Sequence, residues 1–238
     1  MPHSSLQTAR LTLVPITLSV VEAIMLGRRE DAEAIIGARL PDAWPNRSLI
    51  ERAFCASLDR IREDPDGRLW GDRVMLTRAT ALPAEAGTER SETHRLGKGC
   101  EAILCENLGG GDRDSFSVAE SGTMSLDQEG PRVVGSVVFH GAPGADGEVE
   151  VAYGVEQDSQ LRGYATEAVR ASVEWALCDE RVHVVRATTP PWHMASRRVL
   201  EKVGMRAVGT RQHELLGDLL EYERRVDARL RSTHQARA

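Results

Sequence analysis

The residues whose types and spacing could do chemistry cluster between Glu148 and Thr166. Val149, Val151, Tyr153 and Val155 alternate with Glu148, Glu150, Ala152 and Gly154, the period of two that marks a strand. A turn follows through Glu156-Gln157-Asp158-Ser159, and then comes Gln160-Leu161-Arg162-Gly163-Tyr164-Ala165. From Ala165 the pattern becomes helical, with Ala165, Ala168, Val169, Ser172, Val173 and Ala176 on one face. A strand that feeds a glycine-containing turn and then a helix gathers unpaired backbone N–H groups at one point. The positive end of the helix dipole lies there too, so such a point suits an anion such as a phosphate. A single glycine is equally what a plain strand-to-helix bend uses. Two other phosphate motifs do not fit. A dinucleotide fingerprint needs three glycines where this loop has one. Gly97-Lys98 lacks both the glycine five positions earlier and the following Ser or Thr of a Walker loop.

The wording of the stretch is more specific than its pattern. Gln160-x-x-Gly163-x-Ala165, after a Glu150-Val151-Ala152-Tyr153 strand, resembles the acetyl-CoA signature of the GNAT superfamily of N-acetyltransferases, Gln/Arg-x-x-Gly-x-Gly/Ala. A second element runs from His193 to Met205, HMASRRVLEKVGM. It looks like the RimJ/RimL-like branch of that superfamily, whose motif is Asn-x-x-Ser-x-Arg-Val-Leu-Glu-Lys-x-Gly-Phe. Enzymes of that branch acetylate the α-amino group of certain ribosomal proteins, and relatives act on small amines. His193 departs from the motif's Asn. Leu200 stands where many other GNAT enzymes have a tyrosine acid, which is usual for this branch. The resemblance covers Leu6–Thr77 loosely and Arg132–Arg225 closely.

The resemblance implies an α/β fold with a mixed central sheet, splayed open at the cofactor and flanked by helices. It implies acetyl-CoA as co-substrate, no metal, and an amine acceptor. The cofactor positions it carries over are Gly154, Val155, Gln160, Leu161, Arg162, Gly163, Tyr164, Ala165, Thr166, His193 and Ser196. Val199, Leu200 and Val203 are expected in the core, which leaves Ser196 and His193 as the chemical candidates of their helix. Ser196 is the hydroxyl expected to hydrogen-bond the departing thiolate. Glu150, on the strand face shared with Glu148, Ala152 and Gly154, is the expected general base, acting through water. Glu148 shows that the same strand also carries a carboxylate as plain solvated surface. A backbone N–H of the splayed strand can stabilise the thioester oxygen. The attacking amine must be neutral. At pH 7 an α-amine of pKa ~7.8 is about one-tenth neutral, and a lysine of pKa ~10.4 about once in 2,500. Three readings stay open: an N-acetyltransferase for protein N-termini or small amines, an antibiotic- or metabolite-modifying acetyltransferase, and a non-catalytic acyl-CoA-binding module.

Composition bounds these readings. The chain has 238 residues, 41% hydrophobic and 28% charged, an ordinary mixture able to bury a core. Its net charge of −6 argues against nucleic acid as a partner. The longest apolar runs fall short of the ~18 residues of a membrane span. The N-terminus lacks a basic region followed by an apolar one, so the expected location is cytoplasmic, with Cys55, Cys100, Cys105 and Cys178 reduced. The spacing of Cys100, Cys105 and His94 matches no zinc pattern. The oligomeric state is not readable.

The elements that must position the site follow in chain order. Strands are predicted over Arg10–Ile16, Leu69–Thr77, Arg132–His140, Arg181–Thr188, Met205–His213 and Leu219–Val226, besides the strand from Glu148. Helices are predicted over Leu18–Leu26, capped by Thr17 or Ser19, over Ser48–Arg62, and over Met194–Val203 with Gly204 as its stop. Asp64-Pro65-Asp66-Gly67 reads as a turn, and Leu216-Gly217-Asp218 as a hairpin. Residues 79–131 differ in texture: acidic, with a triple glycine at Gly109–Gly111 and Phe116 as their one aromatic. Such a segment buries too little to offset its ordering entropy, so a disordered insertion is expected, with short local strands at Glu101–Cys105 and Ser115–Ala119. The Arg-rich tail from Asp227 is expected to fray.

Overall fold

The computed structural model of the chain describes residues 4–42, 58–78 and 130–226. Its strands are β1 (Leu6–Gln7), β2 (Leu11–Pro15), β3 (Arg73–Thr77), β4 (Val133–Phe139), β5 (Glu148–Val155), β6 (Val184–Thr189), β7 (Arg206–His213) and β8 (Gly217–Arg225). They form one sheet in the order β1-β2-β3-β4-β5-β6-β8-β7. Every neighbouring pair is antiparallel except β5 with β6. The helices are α1 (Leu18–Met25), α2 (Arg29–Ile36), α3 (Leu58–Glu63), α4 (Pro65–Arg68), α5 (Tyr164–Leu177) and α6 (Met194–Lys202). The parallel pair needs a crossover, and α5 supplies it. The expected splayed, mixed sheet flanked by helices is the architecture found.

Helices cover both faces of the sheet. On one side Leu11, Leu13, Met75, Val137, Val149 and Val151 pack with Ala168, Val169 and Val173 of α5 and Leu200 of α6. On the other, Val74, Leu76 and Val138 pack with Val20, Val21 and Ile24 of α1, Ile36 of α2 and Ile61 of α3. Burial on both faces explains why β4 is buried at all seven positions and reads as a nearly continuous apolar run. In β5 the odd-numbered valines enter the α5 side. Glu148, Glu150 and Ala152 face the other way, as the alternation predicts.

Several local expectations are corrected. α2 had no counterpart in the sequence reading, because REDAEAII buries only Ala32 and Ile36 and shows no broad apolar stripe. It ends on Gly37 in the left-handed conformation, φ 72°. Asp64–Gly67 is not a free turn but the start of α4, where Asp64 Oδ1 accepts the Gly67 N–H at 3.0 Å. β3 starts at Arg73 rather than Leu69, since Gly71 turns the chain at φ 77°. β6 starts at Val184 rather than Arg181, because Asp179 closes a turn by accepting the Val182 and Arg181 N–H groups. α6 and the last two strands match their predicted positions to within two residues at each end. The predicted helix over 48–57, the segment 79–129 with its short strands and triple glycine, Cys55, Cys100, Cys105, and the tail from 227 lie outside the described residues.

A buried cation was also missed. Arg73 is fully buried, with its guanidinium 3.9 Å from the Trp175 ring centroid, and burial pushes its pKa down to about 10.

Gly135 sets how closely β4 and β5 approach. A Cβ there would lie 2.3 Å from the Gly154 carbonyl oxygen and 3.0 Å from Val155 Cα. Gly135→Ala is therefore expected to force the two strands apart and to destabilise the fold by about 1–3 kcal/mol. Gly209→Ala, whose Cβ would meet nothing nearer than 3.7 Å, is expected to be mild. Thermal denaturation of the two variants checks this, and equal midpoints would contradict it.

Candidate active site

β5 is bonded to β4 from Val151 to Val155, opposite Phe139 to Gly135. Its pairing with β6 covers Glu148, Glu150 and the valine between them, and goes no further. Beyond that, β6 continues as a partner of β8, with Ala187 to Thr189 opposite Tyr222 to Leu220. The sheet therefore opens into a wedge between the last residues of β5 and β6. The His140 N–H donates to Glu150 C=O, and the Glu156 N–H donates to Val134 C=O. In an antiparallel ladder this alternation turns the amides of Ala152 and Gly154 toward β4 and those of Tyr153 and Val155 into the wedge. Gln160 Nε2 donates to the Val155 carbonyl at 3.1 Å, which ties the following loop to the end of β5.

That loop runs through a short 3₁₀ turn, Gln157–Ser159, into α5, which begins at Tyr164, one residue before the position expected. No side chain caps α5. The first bond of its opening turn runs from the Glu167 N–H to the Gly163 C=O. The amides of Tyr164, Ala165 and Thr166 thus have no intrahelical acceptor. Gly163 is left-handed at φ 81°, and Leu161 is left-handed at φ 61° with its side chain fully exposed. A left-handed leucine costs roughly 1–2 kcal/mol, and such strain tends to collect at ligand clamps. Leu161, Arg162 and Gly163 are all exposed at the mouth of this turn.

The two carboxylates of β5 differ in how they are held. Glu148 is gripped at both oxygens by Arg186, at 2.6 and 2.7 Å, and this hydrogen bonding holds its pKa below the usual carboxylate range. Glu150 is held more loosely. Its Oε1 accepts from Thr188 Oγ1 at 2.8 Å, while its Oε2 lies 3.3 Å from Arg211 Nη2 and 3.8 Å from His140 Nδ1. Its side chain keeps 21% exposure. Glu148 is thus paired with Arg186 while its side chain stays 32% exposed. Thr188, Arg211 and His140 belong to three other segments of the chain, and no pattern in the sequence ties them to Glu150.

Ser196 sits on the opposite side of β5 from Glu150. Its Oγ is 2.9 Å from the Tyr153 hydroxyl, which is also 3.1 Å from the Ser196 carbonyl oxygen. Burial pushes the Tyr153 pKa up to about 12, against the Ser196 hydrogen bond. The strand alternation alone marks this tyrosine only as one of the inward positions of β5. His193 is the N-cap of α6, makes no side-chain cap bond, and has its ring 5.7 Å from that of Trp192. Leu200 is fully buried, as expected of a core residue. The wedge is the opening in the sheet between the Glu150 face and the Ser196 face.

The model for the acetyltransferase (GNAT) domain matches residues 88–206, and the chain belongs to the GNAT acetyltransferase family. Among curated relatives, the uncharacterised N-acetyltransferase YjdG of Bacillus subtilis is 28% identical over 102 residues, 43% of this chain and 56% of that protein. YnaD of the same organism, also an uncharacterised N-acetyltransferase, is 32% identical over 77 residues, 32% of this chain and 45% of that one. The chain thus spans about half the length of these relatives. A protein of Bordetella pertussis described as a GNAT-family acetyltransferase shares the fold. It is 18% identical with a TM-score of 0.51, over 93% of this chain and 99% of that one. Among the described residues no helix is long and apolar enough to cross a membrane. No three His, Cys, Asp or Glu side chains among them gather as a metal site.

The Tyr153–Ser196 contact has a measurable signature. Burial raises the Tyr153 pKa from its ordinary value of 10.0 to about 12 in the fold. Between those values the folded state holds the proton and the unfolded state has lost it, so stability falls as pH rises through that window. Tyr153→Phe is expected to cost about 1 kcal/mol at neutral pH, for the lost hydrogen bond, and to flatten this alkaline loss. Urea denaturation across the alkaline range checks both. An unchanged alkaline slope would contradict the buried, hydrogen-bonded phenol.

Proposed function

We propose that this chain is an acetyl-CoA-dependent N-acetyltransferase of the RimJ/RimL-like branch. Its acceptor is a primary amine, either the α-amine of a protein N-terminus or a small-molecule amine. The observation that carries the reading is the parting of β5 from β6 beside the uncapped start of α5. In this reading the amides from Leu161 to Thr166, with Gln160 and the Arg162 side chain, hold the pyrophosphate of CoA. The glycine at φ 81° and the bare helix terminus fit such a group. Gly154 and Val155 border the acyl end, and His193 and Ser196 lie along the pantetheine arm.

The reaction then runs through the wedge. The neutral amine forms an N–C bond to the thioester carbonyl carbon, and the carbonyl oxygen takes up the negative charge. An N–H of β5 that faces the wedge donates to that oxygen. Glu150 accepts the amine proton through water, with its carboxylate oriented by Thr188 and Arg211. The C–S bond breaks and the electron pair leaves on sulfur. Ser196 donates to the thiolate. The Tyr153 hydroxyl, which donates to the Ser196 carbonyl and lies 2.9 Å from Ser196 Oγ, holds the serine in position for that bond. An α-amine suits a site of this kind, because about one-tenth of it is neutral at pH 7.

Three results test the proposal. CoA release, followed with a panel of amines and N-terminal peptides, is expected with at least one acceptor. Tight acetyl-CoA binding with no release for any acceptor would favour a non-catalytic acyl-CoA module instead. Gly163→Asp puts a side chain and a negative charge where backbone must meet phosphate. A large loss of acetyl-CoA affinity in calorimetry is expected, with the fold intact, and unchanged affinity would sink the loop assignment. Glu150→Gln is expected to lower kcat at pH 7 by roughly 10²–10⁴-fold with acetyl-CoA affinity retained, and the loss should shrink at high pH. A wild-type rate from about pH 6 to about 9 would remove Glu150 from the chemistry.

A further inference from the structure

The loop assigned to the pyrophosphate is clamped from the far end of the chain. Arg10, just ahead of β2, donates from Nη1 to the Arg162 carbonyl at 2.8 Å. Its Nε and Nη2 meet Glu167 Oε2 at 2.8 and 2.7 Å, and its backbone N–H donates to Glu167 Oε1 at 2.7 Å. Thr8 Oγ1 donates to the same oxygen at 2.6 Å. The guanidinium also lies 5.0 Å from the Tyr164 ring centroid. Glu167 stands in the first turn of α5, where the dipole favours an acid. A lone guanidinium at that end would be unfavourable, and the carboxylate offsets it.

The bonded carbonyl belongs to the residue between Leu161 and Gly163, the two left-handed positions of the loop. Each guanidinium nitrogen of Arg10 is occupied by Glu167 or Arg162, so the side chain is engaged in shaping the loop. The base of the clamp is fixed in turn. Arg78 donates from its backbone N–H to the Arg10 carbonyl and from its side chain to the Thr8 carbonyl. Arg10 is half exposed, and an exposed ion pair adds little to global stability. Its consequence is local: it keeps a strained turn in one conformation, the kind that must be over-determined by its surroundings.

We infer that Arg10 is a positioning residue for acetyl-CoA, tying the Arg162 carbonyl and Glu167 to the N-terminal strand so that the amides of residues 161–166 converge. This inference rests on the reading of that loop as the pyrophosphate site. Arg10→Ala, Arg10→Lys, Glu167→Gln and Gly163→Asp separate the two. For Arg10→Ala the expectation is a rise of roughly tenfold or more in KM and Kd for acetyl-CoA. Its kcat at saturating acetyl-CoA and its thermal midpoint should stay near wild type. A lysine can reach the carbonyl or the carboxylate but not fork to both, so Arg10→Lys should fall between. Glu167→Gln should shift KM in the same direction. Unchanged KM in Arg10→Ala, with binding lost in Gly163→Asp, would overturn the inference and leave the loop reading standing. Unchanged binding in Gly163→Asp would overturn both. A fall in midpoint and kcat together in both Arg10 variants, with KM constant, would make Arg10 a structural residue and overturn the inference as well.

Discussion

The structure depends on where one strand pairing ends. β5 needs a partner on each edge, because a buried backbone amide without one is costly. It has β4 on one side along its second half, and β6 on the other for its first residues alone. β6 does not end there. It is drawn away by β8, to which it stays paired through Thr189. The amides of Tyr153 and Val155 therefore point away from β4 with no paired strand opposite them among the described residues. Several features keep the wedge in place. Gly135 lets β4 lie close against β5, the Gln160 side chain holds the end of β5, and the Glu148–Arg186 ion pair bridges the first and last rungs of the short β5–β6 pairing.

The opening separates two different electrostatic surroundings. On the α5 side lie the positive end of a helix of 14 residues and the exposed Arg162. On the other face lie Glu148, Glu150, Glu221 and Glu223, interleaved with Arg186 and Arg211. An anion is favoured on the first side. On the second, a proton leaving an amine finds a carboxylate whose orientation is already set. A thioester held in the wedge would meet each environment at the end where its chemistry needs it, which is the physical content of an acyl-transfer reading.

What the sequence disclosed was local. The strand of β5, the turn and α5 were legible because a period of two gives way to a helical period across one glycine. β4 was legible because seven buried positions leave no polar alternation to confuse it. The motif from His193 to Met205 located α6. The misses share one cause: their reasons lie in distant residues. α2 is held by two buried side chains against α1 and the sheet, too few to leave a stripe. Arg73 reads as a surface residue until Trp175, over a hundred positions away, covers it. The wedge is a failure of pairing, and no periodicity encodes where a partner departs. The partners of Glu150, the Tyr153–Ser196 contact and the Arg10 clamp join elements brought together by the fold, so they were invisible as spacing.

The most direct measurement of the central claim is hydrogen exchange of the backbone amides, with and without saturating acetyl-CoA. The account predicts strong slowing at Leu161 to Thr166 and at the wedge-facing amides of Tyr153 and Val155, while the exposed strand β7 stays unchanged. Acetyl-CoA that binds while those loop amides exchange at their free rate would contradict it.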